Sequence, residues 1–440
     1  MPLNRTHDPQ RRGWLASANA VGTDFPLQNL PLGSFKAAGS PQVRVGIAIG
    51  ESVLDLFAVH SARLLRAEAA DAAAVAHEGG LAALMALPAE AMSSLRAGVF
   101  DLLCDDTEAG ARTQGLTPEV LRDAAQVQMQ LPCAIRGYTD FLASEHHTER
   151  NGRLKGLAVP VPEAYRSVPV AYHGRASSIV VSGTEVRRPN GQWKAADGRV
   201  VFGPADALDF ELEMGIFIGQ GNPQGLPVKL ADAHRHIFGL CLLNDWSSKA
   251  VQWWEQMLGP FLGKNFATSI SPWIVTQEAL EPFRVAAPQR ATSHPPVLPY
   301  LDVGRHSQAG SWNIDLVACL STRQMRERNQ AAAVVTQTGL RHLCWTPAQM
   351  VAHHTSNGCN LETGDLLGTG TISGPHDDSR ACMTELTSAG RAPLALSGGE
   401  SRGWLADGDE VVLRARASAP GHVPIGFGEC RGLILPSLTY

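Results

Sequence analysis

The sequence predicts a two-domain α+β fold, mainly β with α, and three observations carry that prediction. The chain has 440 residues; its first third holds a short hairpin followed by Ala- and Leu-rich stretches; after Leu131 the composition shifts to short apolar alternations broken by turns. This length suffices for two packed cores, or for one large core with a smaller partner.

In chain order, residues 43–59, VRVGIAIGESVLDLFAV, predict two short strands around Gly50-Glu51-Ser52, a hairpin of the small-barrel kind. Residues 61–76, 80–105 and 118–129 carry apolar residues at helical spacing with few β-branched side chains, predicting three helices. Beyond Leu131 Gly, Pro, Val and Thr rise, and Pro189-Asn190-Gly191 and Asp407-Gly408 mark turns, so this part reads as mostly β. The Pro-rich residues 281–300 predict a surface loop.

Composition narrows the function. With 42 acidic against 37 basic residues and no dense Lys/Arg block, neither nucleic acid nor a membrane surface is an expected partner. No run reaches the ~18 apolar residues of a membrane span, which makes a cytoplasmic location the simplest reading. Eight scattered cysteines without C-x-x-C pairs predict buried free thiols rather than disulfides or a thiolate zinc site.

Several residues could carry chemistry. Strict alternation from Leu208 to Met214 would place Phe210, Leu212, Met214, Ile216 and Ile218 on one apolar strand face, with Glu211 and Glu213 opposite. Carboxylates two apart on a strand sit roughly 7 Å apart and can reach one cation; from this segment alone, a half-exposed strand whose glutamates face water is the simpler reading. The apolar run from Ile237 to Leu243 predicts a strand buried on both faces and ending at Asp245, which either serves a site there or caps a short helix over residues 247–256. Asp140 precedes by seven residues His147, which lies beside His146 in a polar stretch where histidines are usually exposed. Lys264 sits among Gly, Pro and aromatic neighbours, a setting unusual for a solvated lysine but compatible with snorkelling. Two motifs are decoys. Gly399-Glu400-Ser401-Arg402-Gly403 matches a nucleophile elbow but is followed by strand and turn signals rather than a helix. The glycines of residues 368–374 have the wrong spacing for a dinucleotide loop.

Taken together, YTDF (138–141), AYHGRASSIVVSGTEVRRPNGQ (171–192), FELEMGIFIG (210–219), LLNDWS (242–247), GPFLGKNFATSISPW (259–273) and GTISGP (370–375) resemble the fumarylacetoacetase family. The likeness is long and collinear, spans most of residues 131–440, and extends more weakly to GSFKAAGSPQVRVGIAIG. It implies an SH3-like barrel domain with helices over residues 1–128, a mixed β-roll catalytic domain over residues 129–440, and a homodimer. It also implies a metal-dependent hydrolase that cleaves a carbon–carbon bond in 4-fumarylacetoacetate. Asp140, Glu211, Glu213 and Asp245 fall at the family's metal carboxylates, described with calcium or magnesium, and Lys264 and Thr268 fall near a second cation site. His147 matches the general base, Glu385 the carboxylate that orients it, Gln252 and Tyr172 substrate contacts, and Thr371 a substrate or oxyanion contact. On this reading His147 takes a proton from water, while Lys264 and Gln252 stabilise the departing enolate.

An all-oxygen ligand set favours a hard cation over zinc. Four carboxylates about 5 Å apart would repel by roughly 3 kcal/mol per pair at a dielectric of about 20, so such a cluster calls for a cation or protons. The chain departs from the family at Leu142 and Gln256, where tyrosines are usual, and at Lys249, where an arginine is usual; the family's loop arginine has no clear counterpart near Lys155. The metal and water chemistry is untouched by these changes. The grip on a substrate carboxylate, which Lys249 or Lys155 would then provide, is altered. Hydrolysis of another 2,4-diketo acid, or a catalytically silent metal-binding homologue, are the alternatives.

Overall fold

The computed structural model describes residues 2–195, 197–292, 294–304 and 310–439. Near the N-terminus Leu121–Asp123, Ser52–Asp55, Val43–Ile49, Leu32–Lys36 and Gln128–Gln130 line up in that order as an antiparallel five-stranded sheet. The expected hairpin is present, with Ile49 paired to Ser52 across Gly50 and Glu51, and Gly50 takes the positive φ of 56° that the tight turn requires. Its second strand stops at Asp55 rather than running on to Val59. The Asp55 carboxylate accepts hydrogen bonds from Phe57 N and Ala58 N and so starts the helix Leu56–Ser61.

The next helices are Ala67–Met85 and Ala89–Leu103. The first is kinked at Gly80, whose φ of 69° and ψ of -162° are not helical, so the predicted break at this glycine is present, and a second break follows where Pro88 is the cap residue of Ala89–Leu103. The helix predicted over residues 118–129 is corrected more severely. Only Thr117–Val120 is helical; Leu121–Asp123 and Gln128–Gln130 are drawn off as the two edge strands of the sheet, where tertiary pairing outweighs local propensity. These edges are joined by residues 124–127, three of them in a 3-10 turn. Such a link spans ~13 Å, less than the ~19 Å width of a flat five-stranded sheet, so the sheet curls.

The rest of the chain builds two main sheets, of eight and five strands. One runs Ala171–His173, Tyr138–Phe141, Leu366–Gly368, Leu212–Ile218, Ile237–Asn244, Thr268–Ile270, Ile179–Val181, with Val275–Thr276 also on Ile237–Asn244. It is mixed, being parallel at Leu366–Gly368 against Tyr138–Phe141 and at Thr268–Ile270 against Ile179–Val181. The other orders Ala333–Gly339, Ile314–Ser321, Glu410–Ala417, Ile425–Leu435 and Val186–Arg187.

The first sheet is covered on both sides. Phe210, Leu212, Met214, Ile216, Ile218, Leu240 and Leu242 join a core with Leu316, Leu413 and Phe427 of the second sheet. Phe217, Cys241 and Leu243 point the other way, into a core with Leu84, Val99 and Phe100 of the N-terminal helices. The apolar face expected for the strand therefore exists, but water does not lie on its opposite side. Glu211 and Glu213 are buried, which overturns the solvent-facing reading. The Pro-rich residues 281–300, apart from Ser293, which lies outside the described residues, are mostly half-buried or exposed, as a surface loop should be. All eight cysteines are free thiols. Among the described residues no helix is long and apolar enough to cross a membrane.

Candidate active site

The site forms where the central strands of the mixed sheet end. Asp140 stands in Tyr138–Phe141 beside Gly368, and a Cβ there would lie 2.4 Å from Asp140 Oδ1 and 3.1 Å from Glu213 Oε2. Glycine is thus what lets the two carboxylates converge. Gly370 N donates to both, at 3.2 Å to Asp140 Oδ1 and 2.9 Å to Glu213 Oε2. Asp245 follows the strand Ile237–Asn244 and takes Tyr172 Oη at 2.7 Å and Thr268 Oγ1 at 3.3 Å. It does not cap the helix Lys249–Glu255, whose cap residue Ser248 also lends no side-chain bond.

Asp140, Glu213 and Asp245 each offer an oxygen within 4.8 Å of the others. Burial, then Asp245, pushes the Asp140 carboxyl well up; burial, then Asp140 and Asp245, does the same to Glu213. Glu213 Oε1 is buried with no hydrogen-bond partner. An orphaned carboxylate oxygen in a convergent all-oxygen trio is the donor set of a hard divalent cation.

Glu211, the fourth expected carboxylate, faces two lysines instead. Lys249 Nζ bonds Glu211 Oε1, and Lys264 Nζ bridges Glu211 Oε2 at 2.6 Å and Asp245 Oδ2. Burial works against the Glu211 charge, yet Lys249 and Lys264 hold its carboxyl far below the ordinary range. The same pairing overcomes burial to raise Lys264, so its amine is ion-paired rather than snorkelling.

A second group adjoins the first. Ser144 Oγ accepts from His147 N and starts the helix Glu145–Leu154, so the predicted polar loop is a helix with His147 on its buried side. His147 Nδ1 lies 2.5 Å from Glu385 Oε1. That oxygen also accepts from Ser373 Oγ at 2.6 Å, while Arg150 Nη1 donates to Glu385 Oε2 at 3.0 Å. Burial would raise the Glu385 carboxyl, but His147 and these donors keep it below the usual range. A proton on Nδ1 suits this partner and leaves the Nε2 lone pair as an acceptor, while Asn151 Nδ2 lies 3.2 Å from Nδ1 and 2.9 Å from Nε2, beside both ring nitrogens rather than in line with either. His146 turns elsewhere, edge-on to His342 with ring centres 6.3 Å apart.

Of the remaining expected residues, Thr371, next to Gly370, and Gln252, on the helix Lys249–Glu255, have side-chain oxygens (Oγ1 and Oε1) that are buried without hydrogen-bond partners. Leu142, half-buried just past Asp140, offers no polar atom from its side chain. Lys249 is committed to Glu211, with Asp209 4.0 Å away. Lys155 Nζ instead meets the neutral Gln256 Oε1 at 3.3 Å and lies 5.8 Å from the Trp253 ring centre. Burial, then repulsion from Lys249, brings its amine down to about 8. Sequence reasoning missed Arg150, Asn151, Ser373 and Asp209. The helical spacing of Arg150 and Asn151 from His147, after a serine cap, was the one usable signal.

Known proteins resemble this chain along nearly its whole length. The family model described as fumarylacetoacetate (FAA) hydrolase C-terminal matches residues 136–434, and that described as fumarylacetoacetase N-terminal matches residues 28–132. The fumarylacetoacetase of Oryza sativa subsp. japonica is 41% identical over 425 residues, covering 95% of this chain and 96% of that one. Those of Bos taurus (40% over 427 residues, 96% and 98%) and Arabidopsis thaliana (42% over 422 residues, 95% and 97%) are similar in extent. With both halves matched and relatives of about this identity along nearly its whole length, the chain belongs to the fumarylacetoacetate hydrolase family.

Proposed function

We propose that this chain hydrolyses the carbon–carbon bond of 4-fumarylacetoacetate, giving fumarate and acetoacetate. The observation that carries the reading is the juxtaposition of a buried histidine–glutamate pair with a convergent carboxylate trio. Asp140, Glu213 and Asp245, with Glu211 adjacent, would hold a divalent cation of the calcium or magnesium kind, which supplies Lewis-acid polarisation of ketone oxygens.

The chain's own residues account for the proton movements. His147 Nε2 takes a proton from water, and Glu385, fixed by Ser373 and Arg150, stabilises the resulting imidazolium. The hydroxide oxygen bonds to the fumaryl ketone carbon, the one attached to the alkene, and the bond from that carbon to the CH2 of the acetoacetyl part breaks. The CH2 carbon leaves with the electron pair and receives the proton back from His147, so atoms and charge balance. Lys264 uses two N–H donors on Glu211 and Asp245 and keeps a third; with the Gln252 amide and the Thr371 hydroxyl it stabilises the oxyanion and the departing enolate. Tyr172, anchored on Asp245, borders the substrate. Because Lys249 is occupied, Lys155 is the better cation for a substrate carboxylate, and Leu142 withholds the hydroxyl that the family's tyrosine would add. The motif resemblance to the family implies a homodimer, measurable by sedimentation, and a cytoplasmic setting.

Comparing kcat/KM for fumarylacetoacetate, maleylacetoacetate and acylpyruvates tests the substrate. A preference for fumarylacetoacetate above about tenfold, or roughly 1.4 kcal/mol in transition-state binding, is expected. A smaller one assigns the site to another 2,4-diketo acid, and no loss of diketone absorbance with any of them identifies a silent homologue.

A further inference from the structure

The helix Met383–Leu386, which carries Glu385, has only four residues, and the side chain of its own cap residue Cys382 accepts none of the helix's first N–H groups, its thiol donating to Glu385 Oε1 at 3.5 Å instead. A helix so short cannot hold its own start. The missing acceptor comes from 174 residues away, where Asp209 Oδ1 accepts from Met383 N at 2.5 Å. Asp209 Oδ2 accepts from Thr384 N at 2.9 Å and from Thr384 Oγ1 at 2.5 Å. Asp209 is fully buried. Two residues further along the same segment, Glu211 pairs with Cys382 across an isolated bridge, and Leu212 N donates to Ala381 O at 3.0 Å. Lys249, bonded to Glu211, also lies 4.0 Å from Asp209.

From this we infer that Asp209 is a positioning residue for the reaction: its carboxylate caps the Glu385 helix from outside and fixes the distance between the His147–Glu385 pair and the segment that carries Glu211 and Glu213. It touches neither substrate nor water. It acts through Glu385, whose two oxygens must meet His147, Ser373 and Arg150 at once, an arrangement that tolerates little rotation of the short helix. Asparagine at this position would turn an N–H group toward donors and lose at least one of the three bonds.

The inference rests on the proton-transfer role proposed for His147 and Glu385, and a set of variants separates the two. Steady-state kinetics and thermal melting are compared for Asp209→Asn, Glu385→Gln, the double variant, Thr384→Val and His147→Ala. Asp209→Asn is expected to lower kcat about tenfold with KM within about twofold of the parent, and the double variant to be no slower than Glu385→Gln by more than about twofold, as for residues acting as one unit. Thr384→Val, which removes one of the three bonds, should lower kcat about threefold in a protein that melts cooperatively; it carries the test if Asp209→Asn does not fold. Multiplying losses in the double variant, a change confined to KM, or an unaltered kcat in Thr384→Val would overturn the role of Asp209. Full activity of His147→Ala would instead overturn the proton-transfer reading beneath it.

Discussion

Stripping divalent cations from the protein tests the carboxylate trio most directly. Oxygens of Asp140, Glu213 and Asp245 lie within 4.8 Å of one another. At an effective dielectric of about 20, each ionised pair at this separation repels by about 3.5 kcal/mol, or about 10 kcal/mol over three pairs. Lys264 offsets part of this through Asp245. Protons offset more, since burial and the neighbouring acids push both Asp140 and Glu213 up. Cation binding and protonation therefore compete for the same oxygens, and a cation that binds near neutral pH must expel protons. Titration calorimetry of chelator-treated protein with calcium or magnesium, in two buffers of different ionisation enthalpy, should report release of about one to two protons. A folded-state pKa raised above its unfolded value contributes stability at low pH that is lost as pH rises through it. The stripped protein should accordingly melt at lower temperature as pH rises, and the stabilisation by added cation should grow in the same direction. At 100 times its Kd a cation contributes about 2.7 kcal/mol, enough to move Tm by a few degrees. Absence of proton release, a melting temperature indifferent to chelator, and no metal in the purified protein would together refute the reasoning.

Two further outcomes concern His147 and Lys155. His147→Ala should lower kcat by about 10²-fold or more with little effect on metal content; the same loss in His146→Ala with His147→Ala active would show that the wrong histidine has been chosen. The Lys155 amine, brought down to about 8 by burial and by Lys249, loses its charge as pH rises through that value. In the free enzyme kcat/KM for an anionic substrate should then fall above pH about 8, and Lys155→Arg should carry that limb to higher pH. An alkaline limb that persists unchanged in Lys155→Met would remove Lys155 from substrate binding.

How much of this was legible depended on which physical signal each element sends. The alternation through Phe210, Leu212, Met214, Ile216 and Ile218 located a real core face, because period-two patterning reports that the two sides of a strand differ. It does not report what covers the second side. Here that cover is a core shared with the N-terminal helices around Phe217, while Glu211 and Glu213 are buried among Lys249, Lys264, Asp140 and Gly370 from distant parts of the chain. The segments at 121–123 and 128–130 failed for the same reason in reverse, since their strand character comes from sheet edges waiting for partners. The helix Glu145–Leu154 was unreadable by hydrophobicity because its buried residues are His147, Thr148 and Gly152. A helix whose inward face lines a site instead of a core has no apolar stripe to show. Glu385 and Asp209 send no local signal at all. One lies 238 residues from the histidine it orients and the other 174 residues from the helix it caps. Family resemblance reached Glu385 because its role recurs in the motif pattern. Asp209, Arg150, Asn151 and Ser373 act only by holding other groups in place, and residues of those types are far more often ordinary surface polar groups. Their roles become visible only when burial and hydrogen-bond partners are known, which is why the part of the site that resemblance supplied is the chemistry and the part the fold supplied is its alignment.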